Sequence, residues 1–168
     1  MILGMSMSSF TLLHVLISLI GIAAGITALR GLWHANRLPG WTAVFLATTV
    51  ATSGTGFMFH SVSFGPPHVV GVISLLVLTV AILALYGRRL TGPWRWIYVV
   101  CAVLALYLNV FVGVVQAFHK VSFLHPLVPT GSEPPFVATQ GLVLAAFIAL
   151  GAVAAKRFHP AAPPPARR

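Results

Sequence analysis

Acidic residues are almost absent from this sequence. Ten lysines and arginines stand against a single acidic side chain, Glu133. Charged residues make up 7% of the chain, whereas a soluble domain carries about 25%. So few charges cannot cover a water-exposed surface, and 58% of the residues are hydrophobic. The composition therefore indicates an integral membrane protein. It also excludes hydrolases that depend on a pair of carboxylates.

Cysteine is nearly absent too. Cys101 is the only one, so an intrachain disulfide and a CxxC motif are both excluded. The sequence has no nucleophile elbow and no phosphate-binding loop. These absences favour a protein that is not an enzyme. The first apolar run follows no basic segment, which favours a retained helix over a cleaved signal peptide.

Five long uncharged segments organise the chain, and each has 19 to 23 residues. About 20 residues are needed to cross a bilayer, and in hydrocarbon such a segment must be helical. We therefore predict an all-α bundle of five transmembrane helices within residues 1–155. Residues 156–168 are predicted to form a basic, Pro-rich, disordered tail. The predicted spans are Phe10–Leu29, Trp41–Phe59, His68–Tyr86, Trp96–Phe118 and Phe136–Ala155. The second is the weakest, because "ATTVATSGTG" is rich in Thr, Ser and Gly.

The basic residues lie at the ends of these runs, which is the pattern that sets membrane topology. With five spans, nine of the ten fall on one side and only Lys120 on the other. The predicted orientation is therefore N-out and C-in. The net charge of +9 is explained by topology, so we expect a lipid bilayer and no nucleic acid as partner. All four tryptophans fall at the inner interface in this topology: Trp33, Trp41, Trp94 and Trp96.

Histidines are concentrated toward the predicted outer side, which raises the question of a shared ligand. The stretch "HSVSFGPPH" carries His60 and His68 at its two ends. Pro66 and Pro67 suit the first turn of a helix, where proline is tolerated. His14 lies about one turn inside the outer end of the first span. The outer histidines are His14, His60, His68, His119 and His125.

Polar residues also form stripes at helical spacing. His14, Ser18, Gly21 and Gly25 share one face of the first span, and the GxxxG pair allows another helix to approach closely. The second span carries the stripe Thr49, Ser53, Gly56 and His60, and the fourth carries Asn109, Gly113, Gln116 and Lys120. Amides inside a span are costly unless they face protein or water. We therefore predict a polar surface that opens toward the outer side.

Several interpretations of this surface stay open. Polar stripes often serve helix packing alone, and histidines at helix ends need no ligand. Haem b could be held between two helices by His14 with His68 or His119. Copper could bind His60, His68 and His119 with the outer methionines. A small molecule such as a quinone could bind the surface of His14, Asn109 and Gln116.

Most of the chain from the second span onward resembles a family of small multi-pass bacterial inner-membrane proteins whose function is not established. The similarity is carried by "LYLNVFVGVVQAFHKV" (Leu106–Val121) followed by "SEPPF" (Ser132–Phe136). "TSGTGFMF" (Thr52–Phe59) and "HVVGVISLLVL" (His68–Leu78) add to it. The resemblance implies a bacterial inner-membrane location. It implies no activity, cofactor or catalytic residue.

Together these observations predict a non-catalytic inner-membrane protein with a polar His/Asn/Gln pocket facing the periplasm. It would serve as an accessory subunit of a larger membrane complex, as a homo-oligomer, or as a binder of a small molecule or cofactor. The alternative is a membrane redox protein that binds haem b through outer histidines.

Overall fold

The computed structural model describes residues 4–59, 64–128, 131 and 133–159. Within these ranges the chain is helical and contains no strand, so the predicted all-α class is confirmed. A π-helical turn, Leu83–Gly87, continues α3, and a short 3₁₀ turn lies at His125–Leu127. The five α-helices are α1 Met7–Trp33, α2 Pro39–Gly56, α3 Pro66–Ile82, α4 Trp94–Lys120 and α5 Pro134–Arg157.

Four of the helices are long and apolar enough to cross a membrane, which indicates an integral membrane protein. They are α1, α3 with its π-turn, α4 and α5. The second helix, with 18 residues, is not among them within the described residues, because many of its residues are Thr, Ser or Gly and its hydropathy is low. A bundle is therefore present. The fifth span and the N-out/C-in orientation stay predictions.

The helix bounds differ from the uncharged runs for local reasons. The first helix begins at Met7 because the Ser6 hydroxyl accepts the Ser9 N–H at 3.1 Å. Prolines occupy the first turns of α2, α3 and α5, where the N–H groups have no helical partner. The start of α3 at Pro66 confirms the prediction made from "GPPH". The second helix ends at Gly56 and not at Phe59, because glycine is a weak helix former.

The central helix of the bundle is α4, which contacts each of the other four. The second helix lies between α1 and α3, and α5 packs on α4 and α1. α1 and α2 run antiparallel, because His14 early in α1 contacts Thr55 late in α2. α4 and α5 also run antiparallel, because Arg95 early in α4 contacts Ala155 late in α5. We call the end where α1 begins the outer end and the opposite end the inner end, following the predicted topology.

At the inner end, a side chain of α4 binds the last turn of α5. The Arg95 guanidinium donates hydrogen bonds to the carbonyls of Ala155 and Phe158, where a cation complements the helix dipole. Phe158 is fully buried and packs against Tyr98. The helix thus continues beyond residue 155 to Arg157, and Arg95 binds its last turn. The rest of the predicted tail, residues 160–168, lies outside the described residues.

Candidate functional site at the interface of α1 and α2

Polar side chains line the outer half of the contact between α1 and α2. The His14 Nδ1 lies 2.8 Å from the Thr55 hydroxyl. One turn further in, the Ser18 hydroxyl lies 3.4 Å from the Thr52 hydroxyl. We call the set His14, Ser18, Thr52 and Thr55 the outer seam. These four side chains link the two helices by hydrogen bonds at membrane depth, where water is scarce.

The outer seam ends at Gly21, where three polar atoms converge on one glycine. A β-carbon on Gly21 would lie 3.1 Å from the Asn109 Nδ2, 3.1 Å from the Thr48 hydroxyl and 3.3 Å from the Thr49 hydroxyl. Asn109 and Thr49 are both more than nine-tenths buried. Their Nδ2 and Oγ1 atoms have no hydrogen-bond partner among the described residues. Such unpaired buried groups cost about 1–3 kcal/mol each.

Below this point the interface is apolar and closed. A β-carbon on Gly25 would lie 2.6 Å from the Leu106 Cδ1 and 2.8 Å from the Phe45 Cδ2. Phe45 and Leu106 are each 1% exposed. The predicted GxxxG contact is therefore confirmed, and its partners are α2 and α4. This apolar layer separates the outer seam from the inner half of the bundle.

The predicted stripe on α4 is divided by the structure. Asn109 is buried beside Gly21, whereas Gln116 and His119 are exposed. His14 therefore lies at the contact of α1 with α2, and Asn109 lies at the contact of α4 with α1, whereas Gln116 is exposed. His119 lies close to Gly131 of the outer loop, whose β-carbon would be 4.0 Å from the His119 Cε1. The surface predicted from His14, Asn109 and Gln116 stays a prediction.

His68 has a structural role at the start of α3. Its Nδ1 accepts the Gly65 N–H at 3.1 Å, which satisfies a backbone donor ahead of the helix. The His68 ring also packs against Phe57 and Phe64. By contrast, the ring of His14 lies edge-on to Phe59. The two histidines thus contact different phenylalanines after α2, and α2 lies between their helices.

Metal binding was predicted at His60, His68 and His119. His60 lies outside the described residues. Among the described part of the chain, no three side chains of His, Cys, Asp or Glu lie close enough together to hold a metal ion. The copper and haem b interpretations therefore stay predictions from sequence.

Some polar contacts are not predicted by the sequence. The predicted stripe on α2 includes Thr49, which does reach Gly21 of α1, but it omits Thr52 and Thr55, which lie against Ser18 and His14. Helical spacing defines several neighbouring stripes on α2, and the contact with α1 uses more than one of them. Gln140 on α5 was also missed. Its Nε2 donates to the Phe111 carbonyl at 3.1 Å, while its buried Oε1 has no partner among the described residues.

Comparison with known proteins adds no relative, since no family model, no curated protein and no solved structure matches the chain. The bacterial origin and the inner-membrane location therefore stay predictions from the resemblance described above.

Proposed function

We propose that the protein is a non-catalytic bacterial inner-membrane protein whose outer seam binds a small polar molecule from the periplasmic side. The binding group would be a carbonyl or hydroxyl head that reaches between α1 and α2. In this role the protein serves as a small-molecule binder or as an accessory subunit of a larger membrane complex. Five spans with the N-terminus outside would place the seam in the periplasmic half of the bilayer.

The observation that carries this proposal is the pair of unpaired polar atoms at the base of the seam. The Asn109 Nδ2 is a donor, and the Thr49 hydroxyl can donate or accept. A carbonyl oxygen would accept from both, and a hydroxyl would also satisfy both. Unpaired buried groups are rare in native proteins and require an explanation, such as a ligand or ordered water. Above them, the outer seam supplies further hydroxyls and the His14 ring toward the outer end.

Water access to the seam can be measured by cysteine labelling. The native Cys101 is first replaced by serine, which leaves a chain without thiols. Ser18→Cys then places a thiol in the outer seam, and Leu19→Cys places one on the neighbouring exposed position. A membrane-impermeant thiol reagent added from the periplasmic side should modify Ser18→Cys faster, because Leu19 faces lipid. Equal rates would contradict an open seam.

Ligand binding is tested with a probe that carries the proposed head group. A short-chain ubiquinone supplies carbonyl acceptors and should raise the melting temperature of the purified protein. Asn109→Leu removes the donor at the base of the seam and should abolish that increase. Gln116→Leu is the matched control, because it removes an exposed amide from the same helix. Loss of the increase in both variants, or in neither, would contradict binding at Asn109.

A further inference from the structure

A second polar site lies at the inner end, between the start of α2 and the end of α3. An open cleft of about 150 Å³ separates these segments. Its lining combines a guanidinium, two hydroxyl groups and two apolar side chains. The lining residues are Arg37, Pro39, Thr42, Leu85 and Tyr86. The cleft shares no residue with the outer seam.

The backbone of Arg37 is fixed at the edge of this cleft. The Thr42 hydroxyl donates to the Arg37 carbonyl at 2.7 Å. Thr42 is almost fully buried, so this contact is held inside the bundle. The π-turn at Leu83–Gly87 carries Tyr86 to the opposite wall. π-Turns are rare and are frequently found at functional sites.

No carboxylate of the described residues can neutralise Arg37. The only acidic side chain of the chain, Glu133, precedes α5 at the outer end, on the far side of the bundle. Two other arginines at the inner end have partners of their own. Arg95 binds the carbonyls at the end of α5, and Arg88 lies 5.1 Å from the ring centre of Trp94. Within the described ranges the guanidinium of Arg37 makes no hydrogen bond or ion pair, so the cleft is cationic.

The cleft lies at the inner end of the bundle, where the predicted topology puts lipid headgroups. Trp41, four residues after Arg37, is half exposed, as expected of an indole at the membrane interface. Exposed apolar side chains continue from the cleft on both helices, including Val44 on α2 and Leu83 at the end of α3. A ligand here would therefore meet a cation at one end and apolar helix surface at the other.

We propose that this cleft binds the phosphate group of an anionic phospholipid. Arginine presents several N–H donors in a fixed plane that suits phosphate oxygens. The Tyr86 hydroxyl on the facing wall can donate a further hydrogen bond. The acyl chains would lie along the exposed apolar faces of α2 and α3. An anionic lipid is favoured over a zwitterionic one because nothing in the described part of this end supplies a negative charge.

Lipid retention measured by native mass spectrometry tests the proposal. The detergent-purified protein is titrated with phosphatidylglycerol and, separately, with phosphatidylcholine. The wild-type chain should retain one phosphatidylglycerol in preference to phosphatidylcholine. Arg37→Gln should weaken that retention by roughly tenfold, because it removes a charge-assisted hydrogen bond. Arg30→Gln is the matched control, since Arg30 is an exposed arginine at the same end that does not line the cleft.

The outcomes distinguish a specific lipid site at Arg37 from a general attraction of anionic lipid to basic residues. Equal loss in Arg37→Gln and Arg30→Gln, or no loss in Arg37→Gln, would overturn the proposal. If Arg37→Gln does not fold, Tyr86→Phe replaces it and should weaken retention while Tyr107→Phe does not. Inorganic phosphate is tested alone. If it raises the melting temperature through Arg37 while phosphatidylglycerol has no effect, the ligand is free phosphate and the lipid assignment is wrong.

Discussion

Replacing Gly25 by alanine tests the packing of α1 directly. The added methyl group would lie 2.6 Å from the Leu106 Cδ1, and 2.8 and 2.9 Å from two ring carbons of Phe45. Carbon atoms in contact are ordinarily 3.5–4.0 Å apart, about an ångström further. Phe45 and Leu106 are buried, and the cavity that they line together with Gly25 has a volume of only about 10 Å³. The helices must therefore separate slightly or the two side chains must leave their rotamers.

The magnitude follows from two opposing effects. Overpacking of this kind costs about 1–3 kcal/mol. Alanine in place of glycine contributes about 1 kcal/mol in the opposite direction, because it restricts the unfolded chain and favours helix. Gly141→Ala on α5 isolates the second effect, since nothing lies within 4 Å of its added β-carbon. The difference between the two variants therefore reports the steric cost alone. It corresponds to a melting temperature lower by roughly 2–12 °C for Gly25→Ala.

The assay is thermal unfolding in one detergent, with wild type, Gly25→Ala and Gly141→Ala measured together. Two more variants, Leu106→Ala alone and Gly25→Ala with Leu106→Ala, complete a double-mutant cycle. Because the double variant lacks one of the clashing side chains, the cycle should show a coupling energy. Equal melting temperatures for Gly25→Ala and Gly141→Ala would refute the close approach of α1 to α2 and α4. Independent effects in the double mutant would place the clash elsewhere.

Four further outcomes test other contacts. Thr49→Val keeps the volume and removes an unpaired buried hydroxyl, so the ligand-free protein should gain about 1 kcal/mol in unfolding free energy; a loss would show that the hydroxyl is paired. Arg95→Gln should lower that free energy by about 1–2 kcal/mol, because two carbonyls at the end of α5 lose a cation, whereas Arg89→Gln should have little effect. A reporter active only in the cytoplasm should work when fused to the C-terminus, and activity of a periplasm-only reporter instead would contradict C-in. The haem b alternative predicts a Soret band that His14→Ala removes, and a colourless protein made with ample haem would eliminate it.

The fold was largely predictable because membrane insertion depends on composition and length. Runs without charge must form helices in hydrocarbon, and all five predicted segments are helical in the structure. Helix ends were less predictable, since they depend on single contacts. The Ser6 cap lengthens α1, and Arg95 extends the ordered chain to Phe158. Neither contact follows from hydropathy.

The candidate site was predicted in part, and the failures share one cause. Helical spacing correctly placed His14, Ser18, Gly21 and Gly25 on one face, because a single helix fixes its own stripe. Helical spacing could not predict which other helix packs against that stripe. Gln116 and Asn109 share a stripe on α4, yet only Asn109 reaches Gly21, because α4 and α1 are close at the layer where two glycines permit it. How closely two helices approach depends on the size of the residues at their contact. The spacing of polar residues along one helix does not predict that distance.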